Sequence, residues 1–310
     1  MEENLPTISV LMPTYNVAEY VEEAIKSILN QTYQNIELIV VDDCSTDITY
    51  DIISNLAKQD SRIVAVRNTN NLRISQSLNK ALGLAHGKLI ARMDGDDISR
   101  PDRLEKLEEH LRNHPDISLV GSFSEAISEN GNHLSYHKLP ISSKWIHRTL
   151  PLCSTVQHIW LAYRELYDTL GGYRECPGAE DYDFLLRADS LGYQFANLPE
   201  YLYKVRLRQG NTESTDGLKR VLTKQYVYEA NKSKSPIILS EFEERLNVSE
   251  MRMNKYRLAS EKLDKAKHER DRPFHLISDS IVAAFTSKDM FRYLVEVSLV
   301  RLACMLERKS

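Results

Sequence analysis

Two rhythms of hydrophobic and polar positions run through the first hundred residues. Ile8 to Met12 is a short apolar run stopped by Pro13. Asn16 lies three residues before Glu19, the spacing of a capping box. Val21, Ala24, Ile25, Ile28 and Leu29 follow at helical period. Ile36 to Val41 is a β-branched run ending at Asp42-Asp43, and Ile48, Ile52, Ile53 and Leu56 predict a second helix. Ile63 to Val66 predicts a third strand. Leu78, Ala81, Leu82 and Ala85 predict a third helix closed by Gly87, and Leu89 to Met93 is a fourth strand that stops at Asp94. Strands thus recur about every 27 residues with a helix between, the signature of β-α-β units in a parallel sheet with right-handed crossovers.

Further on, Pro101 predicts the first position of a helix through Leu104, Leu107 and Leu111. Ile117 to Val120 predicts another strand, and residues 122–155 show no clear period. Glu180 to Leu191 predicts a helix with Phe184, Leu185, Ala188 and Leu191 on one face, ended by Gly192. The character changes beyond Gly210. Residues 218–272 read as charged and helical, and 274–306 as amphipathic apolar stretches. The organisation expected is an α/β unit over 1–212 and a helical region over 213–310.

Ligands on parallel sheets bind beyond the carboxyl ends of the strands. Three predicted strand ends carry polar or acidic groups: Thr14-Tyr15-Asn16, Asp42-Asp43 and Asp94-Gly95-Asp96-Asp97. They should converge on one crevice. Carboxylates as dense as Asp94, Asp96 and Asp97 repel one another unless a cation lies between them, and hard oxygen ligands suit Mg2+ or Mn2+. The plainer reading is a polar turn capping the next helix. Asp42 and Asp43 can accept bonds from a nucleobase or ribose, or cap the following helix. Glu180-Asp181 opens a helix. A pair of carboxylates suits a general base, although acidic residues are favoured in any first turn. His158, in an apolar run, reads on its own as a structural residue.

Composition narrows the field. With 310 residues, 42% of them hydrophobic, the chain can bury a sizeable core, and a net charge of −4 argues against a general nucleic-acid binder. The balance is uneven, −8 over residues 1–212 and +4 over 213–310. The acidic part suits a metal site, and the basic part suits an anionic surface or a solvated helical face. Cys44, Cys153, Cys176 and Cys304 form no C-x-x-C pair, so a reducing compartment is expected. The start, Met-Glu-Glu-Asn-Leu-Pro, has no signal-peptide pattern, and no run of about 18 uncharged apolar residues is present. A cytoplasmic location is the expectation.

The motifs together resemble a known family. Ile8-Ser-Val-Leu-Met-Pro-Thr-Tyr-Asn16, Ser27-Ile-Leu-Asn-Gln-Thr-Tyr33, Glu37 to Asp47, Ala91-Arg-Met-Asp-Gly-Asp-Asp-Ile-Ser-Arg-Pro-Asp-Arg103, Gly171-Gly-Tyr-Arg and Ala179-Glu-Asp-Tyr-Asp183 are similar, in order, to family 2 of the inverting glycosyltransferases. The resemblance spans roughly residues 5–210 and implies the GT-A fold, a Rossmann-like, mostly parallel sheet flanked by helices. It implies that Pro13, Thr14 and Tyr15 line a nucleoside pocket, with Asp43 on the base and Asp42 close by. Asp94 and Asp96 would be the D-x-D pair on metal and diphosphate, Asp96 the foremost ligand and Asp97 a neighbour. Asp181 would be the catalytic base, and His158 falls where the family often has His-Pro-Ser/Thr. The cofactor implied is Mn2+ or Mg2+. The donor implied is a nucleotide sugar, with UDP favoured. The acceptor is a glycan, polyprenyl-diphosphate-linked ones included, in cell-surface polysaccharide synthesis such as O-antigen or capsule.

Three positions depart from the family pattern. Arg73 follows Asn71-Leu72 where Asn-x-Gly is common, Cys44 replaces a usual Gly, and Ile159-Trp160 replaces Pro-Ser/Thr. Two other functions share parts of this pattern. A sugar-nucleotide nucleotidyltransferase would need a Gly-rich loop after the first strand, where this chain has Pro-Thr-Tyr-Asn. A non-catalytic binding module would not need Asp181. Within 274–306, Ile281, Val282 and Phe285 form one apolar group, and Phe291, Leu294, Val295, Leu299, Leu302 and Leu306 another. Such a stripe either lies peripherally on the inner membrane face or packs on the catalytic domain or a second subunit.

Overall fold

The computed structural model describes residues 7–208, 217–268 and 286–307. The β-α-β reading holds. β1 (Ile8–Thr14), α1 (Val21–Leu29), β2 (Ile36–Asp42), α2 (Thr49–Ala57), β3 (Ile63–Arg67), α3 (Arg73–Leu84) and β4 (Leu89–Arg92) alternate as expected, and their strands pair in parallel. The strands are apolar throughout because both faces are covered. Ile8, Val10 and Met12 of β1 pack with Leu38 and Val40 of β2 on one face. Leu11, Ile39 and Val41 face the other way, into a second core.

The second half completes a nine-stranded mixed sheet. β5 (Ile98–Ser99), α4 (Arg103–Asn113), β6 (Ile117–Ser128), β7 (His133–His137), α5 (Ser143–Thr149), β8 (Leu161–Tyr163), α6 (Arg164–Leu170), α7 (Glu180–Ser190) and β9 (Gln194–Leu207) follow in order. The strands lie in the order β3-β2-β1-β4-β8-β6-β9-β5, with β7 on the side of β6. β8 runs antiparallel between β4 and β6, and it joins the parallel half to the rest.

Helices α8 (Gly217–Lys232), α9 (Leu239–Leu246), α10 (Glu250–His268) and α11 (Lys288–Glu307) fill the C-terminal region. The boundary expected near 212 lies outside the described residues. Helix α8 packs on α7, and its Tyr226 and Val227 enter the same core as Phe184 and Leu185. Asp183, fully buried on α7, takes bonds from Arg187 Nε at 2.8 Å, from Arg174 and from Asn231 of α8. Within α11, Met290 and Leu294 pack against α8 and α10, while Phe291, Val295, Leu299, Leu302 and Leu306 are exposed. The six-residue apolar group of the sequence thus divides, with Leu294 turned inward. Ile281, Val282 and Phe285 lie outside the described residues. Among the described residues, no helix is long and apolar enough to cross a membrane.

Two local expectations fail. No capping box forms at α1, whose cap is Tyr20 with no side-chain bond. Asn16 instead adopts φ +50° and takes the Thr46 amide at 2.8 Å. Pro101 sits in a turn ahead of α4, capped at Asp102, rather than at its first position.

Two departures noted above acquire a physical meaning. Cys44 and Arg73 replace family glycines, and both sit in the left-handed region, at φ +62° and +68°. An L-residue there costs roughly 1–2 kcal/mol, offset in part by the extra chain entropy of glycine, about 0.5–1 kcal/mol. Arg73→Gly is therefore expected to raise stability by up to about 1 kcal/mol in urea unfolding. A loss of stability would show that the Arg73 side chain outweighs its backbone.

Candidate active site

The carboxyl ends of the parallel strands open into one cleft of about 390 Å3. Parallel register sets it up, since Thr14 of β1 pairs with Asp42 of β2 and Leu11 with Arg92 of β4. Pro13, Thr14, Tyr15, Asp43, Asp94, Asp96, Asp97, His158, Glu180 and Asp181 all line the cleft. The convergence expected of separate strand ends is therefore present. Asp42 is the exception. Its side chain is fully buried behind the wall, where it takes the Ser45 amide at 3.1 Å and lies 3.3 Å from Arg67 Nε.

Asp43 has a local task that the sequence did not show. Its carboxylate accepts from Asn68 Nδ2 at 2.7 Å and from the amides of Leu72 and Arg73 at 2.8 Å each. These bonds clamp the turn into α3 against β2. Tyr15 stands half-exposed beside it, since the Asp43 amide donates to Thr14 O at 2.8 Å.

The acidic cluster sorts itself by partner. Asp96 Oδ2 accepts from Arg208 Nε at 2.7 Å. Asp97 is buried and accepts from the Arg206 amide at 2.7 Å. Asp94 lies 3.2 Å from Arg92 Nε and 3.0 Å from His158 Nε2. Asp94 and His158 thus face each other as an ion pair when the imidazole is protonated. Ligand atoms of Asp94, Asp97 and His158 all lie within 4.8 Å of one another. The trio that can close on an ion thus differs from the expected emphasis on Asp96, and it recruits a His that read as structural.

Electrostatics fit a cation there. Burial pushes the Asp94 carboxyl up, but Arg92 and His158 overcome this and hold it well below its usual range. Burial and the Asp94 charge raise Asp96, and burial with both neighbouring aspartates pushes Asp97 well above its usual range. Three carboxylates crowd one wall and resist ionising together. Two carboxylate oxygens and an imidazole nitrogen form a donor set for a divalent ion of the Mn2+ type.

A buried ion chain forms part of the same wall. Arg92 Nη1 donates to Glu180 Oε1 at 3.0 Å while its Nε faces Asp94. Burial works against the charge on Arg92, and Asp94 and Glu180 more than restore it. Glu180 is thereby held on Arg92, and Asp181, next on α7, lines the same cleft with its Oδ1 on the Tyr182 amide at 2.7 Å. Sequence reasoning missed Arg92, Arg206, Arg208, Arg220 and Lys224, all of which line the cleft. A basic residue carries no motif weight by itself, and only Arg92 stood inside a quoted motif.

Comparison with known proteins agrees with this geometry. The model of "Glycosyl transferase family 2" matches residues 9–171. An uncharacterised glycosyltransferase of Haemophilus influenzae is 34% identical over 249 residues, 74% of this chain and 76% of its own. The putative glycosyltransferase EpsE of Bacillus subtilis is 39% identical, covering 69% of this chain and 76% of its own. The amylovoran biosynthesis glycosyltransferase AmsE of Erwinia amylovora is 31% identical over 64% of this chain and 75% of its own. Among solved structures, S. aureus TarS 1-349 in complex with UDP-GlcNAc superposes with a TM-score of 0.63 at 17% identity, covering 97% of this chain and 91% of the other. The mannosyltransferase PcManGT from Pyrobaculum calidifontis in complex with GDP-Man and Mn2+ gives 0.59 at 20%, covering 98% and 87%. At such identities the likeness shows the fold, which is of the GT-A type.

The ion chain generates a stability prediction. Arg92→Leu strands Glu180 and Asp94 without their shared cation, and breaking a buried pair costs about 3–5 kcal/mol. Denaturant unfolding should show a loss of that order. A variant within about 1 kcal/mol of the parent would mean that water already screens the chain.

Proposed function

The chain belongs to glycosyl transferase family 2, and from that premise we propose that it moves a sugar, with inversion at the anomeric carbon, from a nucleotide diphosphate donor to a hydroxyl of a glycan acceptor. A place in polysaccharide biosynthesis is proposed by analogy with one relative, AmsE, which is named for amylovoran biosynthesis. The observation that carries the reading is the joint lining of one cleft by Tyr15 and Asp43, by Asp94, Asp97 and His158, and by Asp181. A pocket of this size suits a bound nucleotide sugar.

The parts divide as follows. Tyr15 covers the nucleobase, and the Asp43 turn flanks it with Pro13 and Thr14. A uridine nucleotide is the donor proposed, by resemblance and by analogy with the UDP-GlcNAc bound to TarS. Asp94, Asp97 and His158 would hold a divalent cation, with Asp96 beside them. When bound, that ion neutralises charge building on the departing diphosphate. Asp181 accepts the proton of the attacking acceptor hydroxyl as the new glycosidic bond forms and the bond to diphosphate breaks. Glu180, locked to Arg92, is unavailable for that task, which supports Asp181 as the base.

The exposed stripe of α11 supports a peripheral contact with a membrane face. Phe291, Val295, Leu299, Leu302 and Leu306 lie along one side, and Arg292 and Arg301 beside them add attraction to anionic lipid.

Three outcomes are expected. Asp181→Asn should lower turnover by about 100- to 10,000-fold while nucleotide diphosphate still binds. Near-parent turnover, or a product of retained configuration, would sink the mechanism. Excess chelator should stop nucleotide diphosphate release and Mn2+ or Mg2+ restore it, and His158→Ala should weaken nucleotide diphosphate more than free nucleoside. Full activity in chelator refutes the cation role. Finally, the intact protein should sediment with anionic liposomes, and Leu299→Asp with Leu302→Asp should leave it in the supernatant. If the parent ignores liposomes and the same pair splits a dimer, the stripe is a subunit interface.

A further inference from the structure

The acidic residue expected to lead the cation site is engaged elsewhere. Asp94, Asp97 and His158 bring ligand atoms within 4.8 Å of one another, and that group does not include Asp96. Asp96 Oδ2 instead accepts from Arg208 Nε at 2.7 Å, and both side chains are largely buried, 14% and 15% exposed. The backbone at this point is held by other contacts. Arg206 Nε donates to Asp96 O at 2.9 Å, and a Cβ on Gly95 would meet Thr14 Cγ2 at 2.7 Å, so the chain lies tight against β1. Arg206 is itself fixed by Glu23 at 2.6 Å and by Glu129 O at 2.8 Å. Any exchange of partners by Asp96 is therefore confined to two side chains, its own and that of Arg208.

A guanidinium and a divalent ion on one carboxylate oppose each other. Both are positive, and in a largely buried wall their repulsion is screened far less than in water. The bond from Arg208 is charge-assisted, of the stronger class of hydrogen bond. An ion that draws on Asp96 must therefore displace Arg208 or accept a cation at close range. Displacement has a short path. Arg208 lines the cleft, and its guanidinium carbon lies 5.7 Å from the centre of the Tyr20 ring. The charge can leave Asp96 and stay in the cleft over an aromatic face. Arg92 differs in this respect, since it bridges Asp94 and Glu180 and is needed where it stands.

We propose that Arg208 is an internal cation that competes with the divalent ion for Asp96, so that Asp96 joins the ion only when the guanidinium lets go. The inference rests on the cation site read above and adds the residue that sets when this site fills. An ion arriving alone works against Arg208. A nucleotide diphosphate brings negative charge that the ion and the displaced guanidinium can both meet. Ion and nucleotide then bind cooperatively, and each raises the affinity of the other by the same factor. Arg208 is the part of that coupling which belongs to the protein, over and above the direct attraction between ion and diphosphate.

The test measures Mn2+ binding to the full chain directly, by electron paramagnetic resonance of the free ion, with and without UDP. Without UDP, Arg208→Gln should bind Mn2+ about ten-fold more tightly than the parent, the size expected of one charge-assisted hydrogen bond. Arg208→Lys keeps the charge and should stay near the parent. UDP should tighten Mn2+ less in Arg208→Gln than in the parent. In an Asp96→Asn background, Arg208→Gln should change little, because the contested carboxylate is gone. Equal thermal midpoints would show that each variant is folded. The proposal is overturned if Arg208→Gln leaves Mn2+ affinity unchanged or weaker. It is overturned too if the gain persists in Asp96→Asn, which would make it a general effect of charge in the cleft. Independent binding of Mn2+ and UDP to the parent overturns it without any variant. If neither parent nor Arg208→Gln binds Mn2+, with UDP or without, the cation site itself falls and this inference with it. Equal affinities in two proteins that do bind Mn2+ would fell the role of Arg208 alone.

Discussion

Arg92 is the constraint on which the site's architecture depends. It is one residue of a parallel strand, yet it holds Asp94 of its own strand end and Glu180 of a helix 88 positions away. A guanidinium buried this deeply survives only with its charge compensated. The chain therefore cannot fold with β4 and the start of α7 apart. That requirement fixes the acidic cluster relative to Asp181, the two groups proposed to act on opposite sides of one sugar carbon. It also separates two adjacent carboxylates into different roles, Glu180 spent on Arg92 and Asp181 left facing the cleft.

Asp43 imposes a second constraint by similar means. Its three bonds to Asn68, Leu72 and Arg73 hold the turn into α3, and the left-handed conformations at Cys44 and Arg73 flank it on both sides. Where glycine would adopt these conformations freely, this chain tolerates side chains, and the carboxylate bonds are what over-determine the backbone. A fixed wall beside the proposed nucleoside pocket follows. Strain at a binding site and fixed geometry of that site have the same source here.

The parallel half was legible because its strands bury both faces, so Ile8–Met12 and Ile36–Val41 read as unbroken apolar runs that nothing else in the chain imitates. The apolar face of α1 was legible from its helical period, and so was that of α7 in Phe184, Leu185 and Ala188, whereas Leu191, expected on the same face, lies past the end of the helix and is exposed. β8 was not, since three residues carry no period, and neither was β9, where Pro199, Glu200 and Lys204 interrupt the alternation of a strand with a shifted register. Of the site, the acidic cluster and Asp181 were visible as local motifs. His158 and Arg92 were not visible as a unit, because their importance lies in contacts across 64 and 88 residues of chain. Local spacing also misassigned Asn16, whose side chain caps a loop 30 residues away instead of its own helix. The α11 stripe shows the limit of periodicity. Helical spacing put Leu294 with Val295, and the packing of α8 and α10 decided which of the two faces inward.

The two sides of the cleft are built by different physics, and that difference bears on what can vary. The nucleoside wall and acidic cluster sit at the ends of strands whose positions are fixed by backbone pairing on both sides, so a substitution there disturbs the sheet. Arg220, Lys224 and Tyr228 sit on one flank of a helix anchored elsewhere, by Tyr226 and Val227 in the core and by Asn231 on Asp183. Arg220 and Lys224 stand outside those contacts, whereas the Tyr228 ring packs against the core.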